Sequence, residues 1–298
     1  MAYQEKINLR TTTLGEGFTI KRALPNKKQR MIGAWCFLDH AGPISFQPGQ
    51  AMHVGPHPHI GLQTFTWMIQ GEVLHQDSLG YEQIISPGQV NLMTAGNGIT
   101  HAENTLDEQS GVLHLAQLWI ALPEKQRQMP PKFEHYTHLP IIQQNGFTIT
   151  LLVGSLLKKI SPVHVYTPLI AADLMCTEES VFNFPLNPNF EYGVLILAGE
   201  ATIDGELFSK EHLLYLSTGH QHIHLQAKNA RVLIIGGEPF TEDRIIWWNF
   251  VAPTQAEIET AVHQWKTGQH FQTVPNAQGQ PLPVPELAGI KLKSNLNH

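Results

Sequence analysis

The sequence predicts an all-β protein, a barrel or sandwich of many short strands. Three observations lead there. Short β-rich runs recur at residues 64–69, 83–85, 90–93, 147–153, 192–197 and 232–235. Turn formers punctuate them: Gly71, Gly80, Pro87-Gly88, Gly199, Asp204-Gly205 and Gly236-Gly237. Charged residues make up only 15% of the chain, too few for the dense Glu/Lys surface of a long helical bundle or coiled coil.

The elements follow in chain order. The start, residues 1–13, has no apolar core and no cleavage-like pattern, so no signal peptide is read there. Residues 122–140 carry Pro123, Pro130, Pro131 and Pro140 and read as a connection between two β-rich halves. The halves share a faint internal repeat. Gly71-Glu72 and Gly199-Glu200 each close an apolar strand, and residues 86–103 can be laid over residues 209–226. Duplicated barrels would produce this, as would chance among Gly-punctuated strands. One helix is predicted late. Thr254 is its N-cap with Glu257 as the capping-box partner. Ile258, Ala261, Val262 and Trp265 fall on one face, and Gly268 ends it. The last 25 or so residues, rich in Pro, Gly and polar types, read as a surface-hugging tail. Trp247 and Trp248 are expected to anchor this terminal segment by apolar burial.

Composition excludes several functions. The net charge of -6 argues against general nucleic-acid binding, which relies on Lys and Arg neutralising phosphates. One basic cluster stands out, Lys21, Arg22, Lys27, Lys28 and Arg30, either a solvated loop or a local partner patch. Cys36 and Cys176 lie far apart and form no thiolate motif, so neither a disulfide framework nor a thiolate zinc site is indicated. The longest apolar runs are far short of a membrane span. A soluble, reducing, cytoplasmic setting is the expectation.

Histidine is the unusual component: 17 beside 19 Lys and Arg together. Spacing says which of them matter. His57 and His59 are two apart, as are His101 and Glu103. In a strand, residues i and i+2 face the same way, so each pair can aim two ligands at one point. Two such strands side by side would converge three imidazoles and one carboxylate. Such a set leaves open positions on an octahedral ion, in the manner of non-haem iron oxygenases. A structural zinc site would favour thiolates and a closed shell.

Longer strings carry a resemblance. RMIGAWCFLDHAGP, PHPHIGLQTFTW, GEVLHQDSLG, PGQVNLMTAGNGITHAE, QLWIALP and EDRIIWWNFVAPTQAEIE occur in this order. With them the chain, from about residue 20 to about 270, resembles the pirin family of the cupin superfamily. The resemblance implies two tandem cupin barrels (double-stranded β-helix, or jelly roll): residues 1–135 forming an N-terminal metal-binding barrel, and residues 136–298 a metal-free C-terminal barrel with the helix and tail. It implies one divalent transition metal in the first barrel, Fe(II) foremost, with Cu, Ni, Co, Mn or Zn as alternatives. His57, His59, His101 and Glu103 match the family's ligands residue by residue. The WWNF block is more like quercetinase-type bacterial pirins. The implied activity is quercetin 2,3-dioxygenation, in which O₂ opens a flavonol or related aromatic enol and carbon monoxide is released. Glu103 would then serve as ligand and as general base toward the 3-hydroxyl. Other pirins are iron-dependent redox-sensing regulators that bind a transcription factor or metabolic enzyme, so a protein partner is the alternative.

Further residues fill out the expectation. His75 and Asp77 are candidates for a pair that orients a ligand, against a plain strand-end His and turn-forming Asp. Phe65, Trp67 and Met93 are candidate pocket residues or core. His53 and His114 either approach the first site or only sit near it. His220, His222 and His224 alternate, but the repeat places Gln226 opposite Glu103, so a polar strand face is expected there rather than a second metal.

Overall fold

The computed structural model describes residues 2–14, 18–50, 52–106 and 110–295. Among these the regular structure is strand, apart from the helix Gln255–Lys266. The six expected strands are present within Leu62–Gln70, Glu82–Ile85, Val90–Thr94, Phe147–Val153, Glu191–Ile203 and His222–Gly237. The helix begins where its cap predicts: Thr254 Oγ1 accepts from the Glu257 N–H. Gly268 follows its end at φ +66°, a conformation that costs glycine little. Among the described residues no helix is long and apolar enough to cross a membrane.

The chain forms two compact units. One contains Met1–Thr11, Lys21–His40 and His138–Phe240, and the other Thr12–Ile20, Ala41–Thr137 and Thr241–His298. Against the expected 1–135 and 136–298, each unit also takes a segment from the other end of the chain. The backbone explains this. Gln4–Asn8 needs a hydrogen-bonding partner and pairs antiparallel with His212–Leu216, which draws the N-terminus to the later barrel. The helix buries Ile258, Ala261 and Val262 with Phe250, Phe271, Val284 and Leu287, all in the earlier barrel's unit.

The later barrel has a closed apolar interior. His222–Gly237 pairs with Leu169–Cys176, Ser180–Pro185 and Glu191–Ile203 along different parts of its length. Its buried side chains are Ile223, Leu225 and Ala227, then Ala230, Val232 and Ile234. The parity changes at Asn229, which adopts φ +47°. The partner strand changes parity at Gly199, from Tyr192, Val194 and Ile196 to Ala201 and Ile203. A Cβ on Gly199 would stand 2.4 Å from the Asn229 carbonyl oxygen. The two strands thus turn a barrel corner together, and only glycine fits the close approach. Gly71 does the same in the earlier barrel, at φ +85°, where a Cβ would stand 2.5 Å from Val112 O. Gly71 and Gly199 thus share a positive φ and a close carbonyl.

The earlier barrel places Lys132–Tyr136, Val90–Thr94, Leu62–Gln70 and Gly111–Ala121 side by side in one sheet. A second sheet has the order His53–His59, Ile99–Thr105, Val73–Asp77, Glu82–Ile85. The proline-rich connection is therefore not all connection. Lys132–Tyr136 is a strand, paired with Val90–Thr94 from Lys132↔Thr94 to Tyr136↔Val90. Phe133 gave it one inward aromatic, but the flanking prolines masked the alternation.

The alternation in the later barrel is testable. Leu225→Ala removes a fully buried side chain and should cost about 2–5 kcal/mol. His222→Ala lies on the exposed face and should stay within about 0.5 kcal/mol. Urea unfolding of the two variants measures the contrast; equal costs would overturn the assigned faces.

Candidate metal centre

The centre begins with strand register. Ile99–Thr105 lies between two antiparallel neighbours. His101 is opposite His57 on one side and Asp77 on the other, and Glu103 is opposite His75. Directly opposed residues share a face. His57, His59, His101, Glu103, His75 and Asp77 therefore all point into the barrel. The register slips by one residue between His101 and Glu103, where Gly55 and Pro56 face Ala102. That bulge turns the Gly55 carbonyl toward His57.

Three imidazoles converge. The ligand nitrogens of His57, His59 and His101 lie within 4.8 Å of one another, and all three residues are buried. A carboxylate oxygen of Glu103 forms a second such group with His75 and His101. The two groups meet at His101, with His57 and His59 on one side and Glu103 and His75 on the other.

Hydrogen bonds fix two of the rings. His57 Nδ1 is 2.9 Å from the Gly55 carbonyl oxygen, and His59 Nδ1 is 3.1 Å from that of Asn249. A carbonyl only accepts, so each Nδ1 donates. The Asn249 carbonyl is delivered by the tight turn between Ile245–Trp247 and Phe250–Ala252. Trp248 in that turn has φ +52°, strained for a bulky side chain at a cost of about 1–3 kcal/mol. Bridging of Phe250 to Ile60 holds the turn beside His59. Trp248 and Trp247 also pack against the helix cluster, as their expected anchoring role requires.

Burial keeps these rings neutral. It lowers the His57 pKa to about 4, against the opposing hydrogen bond from Gly55. Burial and then the neighbouring imidazoles hold His59 and His101 well below the ordinary histidine value. A neutral ring that donates from Nδ1 presents a lone pair at Nε2. His59 Nε2 stands 3.1 Å from His101 Nε2. Two ligands at right angles on one ion, each about 2.0–2.1 Å from it, would stand about 2.9–3.0 Å apart. The donor set therefore fits a divalent transition metal.

Glu103 is half-buried. Burial raises its pKa, opposed by His75 and a hydrogen bond with Thr66. Thr66 in turn donates to Gln117 Oε1 at 2.8 Å. Trp119 meets His59 edge-on with centroids 5.2 Å apart. Phe133 stacks on His75 at 4.3 Å. None of Thr66, Gln117, Trp119, Phe133 or Asn249 was singled out by the sequence. Only the polar–apolar alternation of residues 64–67 carried a signal for Thr66.

That alternation corrects two pocket candidates. Thr64 and Thr66 face the centre, so Phe65 and Trp67 lie on the other side of the sheet, with Leu92 and Val90 opposite them. Met93, opposite Thr64 and Phe133, shares the inner face. His53 joins Asn104 at 3.2 Å, and His114 is buried on Gly111–Ala121. In the other unit His222 and His224 are exposed, and His224 Nδ1 meets Asn183 Oδ1 at 2.8 Å. The basic cluster is largely neutralised locally. Lys21 pairs with Glu211, Arg22 with Asp39 and Lys28 with Glu5.

The chain is similar to known proteins along most of its length. The Pirin family model matches residues 17–120, and the model of the Pirin C-terminal cupin domain matches residues 171–272. The chain belongs to the pirin family. A pirin relative from Pseudomonas aeruginosa, named "Putative quercetin 2,3-dioxygenase", is 48% identical over 285 residues, 95% of this chain and 90% of the relative. A pirin-like protein of Caulobacter vibrioides is 35% identical over 277 residues, 90% of this chain and 95% of its own. The crystal structure of a quercetin 2,3-dioxygenase from Acinetobacter baumannii superposes with a TM-score of 0.96 at 47% identity, covering 98% of each chain. The fold is therefore the two-barrel cupin architecture of the pirins.

The lowered histidine pKa values fix a pH dependence. Each imidazole binds its proton less readily folded than unfolded, so its contribution to stability is present above the ordinary value of 6.5 and is lost as pH falls through the folded value. For His57, the window from 6.5 to about 4 corresponds to about 3 kcal/mol. Urea unfolding of chelator-treated protein should show stability falling steeply from pH 6.5 to pH 4, and His57→Gln should flatten the slope. A flat profile would remove the buried neutral imidazoles.

Proposed function

We propose that this pirin is a flavonol 2,3-dioxygenase of the quercetinase type. One divalent transition metal, Fe(II) foremost and Ni, Cu, Co, Mn or Zn as alternatives, would be held by His57, His59, His101 and Glu103. The observation that carries the reading is the trio of buried, neutral imidazoles aimed at one point beside a carboxyl of raised pKa. The 47% identity to a crystallised quercetin 2,3-dioxygenase supports the same chemistry.

When bound, the metal would supply Lewis acidity toward the enol oxygen and a route for electrons to O₂. The chain's residues do the rest. The burial that raises the Glu103 pKa makes its carboxylate the stronger base, suited to take the flavonol 3-hydroxyl proton. Thr66, which donates to Gln117 Oε1, stands beside that carboxyl. Met93, Trp119 and Phe133 offer flat apolar walls on the same face, suited to an aromatic ring. The net reaction consumes one flavonol and one O₂ and yields the ring-opened ester and carbon monoxide. A reducing cytoplasm suits the buried free thiols Cys36 and Cys176.

The test is turnover. Protein reconstituted separately with Fe(II), Ni(II), Cu(II), Co(II) and Mn(II) should bleach quercetin with matching O₂ uptake and carbon monoxide release under at least one metal. Glu103→Gln should slow that reaction by about 10²–10⁴-fold. No turnover with any of these metals would refute the assignment.

A further inference from the structure

The Nδ1 atoms of His57 and His59 are fixed by backbone carbonyls, but that of His101 is not. It faces another imidazole, with His101 Nδ1 3.4 Å from His75 Nδ1. Behind His75 stands Asp77, whose Oδ2 is 3.1 Å from His75 Nε2. Asp77 Oδ1 is already occupied, accepting from the backbone N–H groups of Leu79 at 2.9 Å and Tyr81 at 3.1 Å. Asp77 and His75 are buried, at 0% and 3% exposure. Phe133 stacks on the His75 ring at an interplanar angle of 11° and holds its plane.

Proton positions follow along this row. A carboxylate only accepts, so His75 Nε2 is the donor to Asp77 Oδ2. In a neutral His75 ring, Nδ1 is then a lone pair. Only a donating His101 Nδ1 completes this row, and a neutral His101 then carries its lone pair at Nε2, toward His57 and His59, 3.1 Å from His59 Nε2. We infer that Asp77, acting through His75, fixes the tautomer of His101 so that its Nε2 is free to hold the metal. Asp77 and His75 are thus positioning residues. The inference rests on the metal centre proposed above.

Asp77→Asn tests this with little change of shape. The N–H groups of Leu79 and Tyr81 keep the amide oxygen where Oδ1 is, so the amide NH₂ faces His75. Nε2 of His75 must then accept, its Nδ1 becomes the donor, and His101 is driven to the opposite tautomer. His75→Gln keeps the original sense, because the side-chain amide can donate to Asp77 and accept from His101. His75→Leu supplies neither bond. In metal-free protein, ¹⁵N-edited imidazole NMR should show His101 protonated at Nδ1 in the wild type and in His75→Gln, and at Nε2 in Asp77→Asn. Ni(II) titration should show affinity about 10–100-fold weaker in Asp77→Asn and His75→Leu, with His75→Gln within a few fold of the wild type. Wild-type Ni(II) affinity in Asp77→Asn, or equal losses in His75→Gln and His75→Leu, would overturn the relay while leaving the centre standing. A wild-type protein that takes up no Ni(II) would overturn both.

Discussion

The metal centre depends on one register. His101 must lie opposite His57 on one side and Asp77 on the other, because a slip of a single residue would turn every side chain of Ile99–Thr105 to the opposite face. In that event Thr100 and Ala102 would occupy the cavity and the imidazoles would part. The bulge at Gly55 and Pro56 absorbs the one mismatch on the His57 strand and also orients the carbonyl that pins the ring. Backbone hydrogen bonding thus determines where the imidazoles are and which nitrogen His57 and His59 can offer.

Much of this was readable from the chain. The i, i+2 spacing of His57/His59 and His101/Glu103 needed only the pleat of a strand to place each pair on one face. The helix was legible because its signals are local: Thr254 and Glu257 at the start, Gly268 at the end. What failed was long-range or depended on parity. Asn249 lies 190 residues from His59, and no local pattern ties a turn carbonyl to a distant imidazole. Phe65 and Trp67 stood open as pocket or core, because residue type alone does not give a strand's parity. Here Thr64, Thr66, Gln117 and Glu103 share the inward side, and Phe65 and Trp67 face the other way. The strand Lys132–Tyr136 was hidden by its prolines, and with it the ring that stacks on His75.

The two barrels put the same corner geometry to different use. Gly71 and Gly199 hold equivalent positive-φ corners, each pressed against a carbonyl of its partner strand. Inside, the later barrel buries Phe182, Phe184, Ile223 and Leu225. The earlier barrel places histidines and a carboxyl on its inward faces. The repeat therefore carries the architecture, while the inward positions carry the chemistry.

This division has an energetic consequence for the earlier barrel. Neutral imidazoles and a carboxyl of raised pKa are costly to bury, and the space they take is lost to apolar packing. Apolar clusters pack elsewhere in the same unit. One is the cluster around Met52, Val54, Met68, Val73 and Leu113. The other is built by the C-terminal segment, where Phe250, Ile258, Ala261, Val262, Phe271, Val284 and Leu287 pack together. Phe250 belongs to the hairpin whose turn supplies the Asn249 carbonyl to His59. Apolar burial by the helix and tail therefore bears on the site. It holds Trp248 in its strained conformation, and through Asn249 it fixes the tautomer of one of the three converging imidazoles. A sequence that looks like a surface tail is part of what makes the site able to hold a metal.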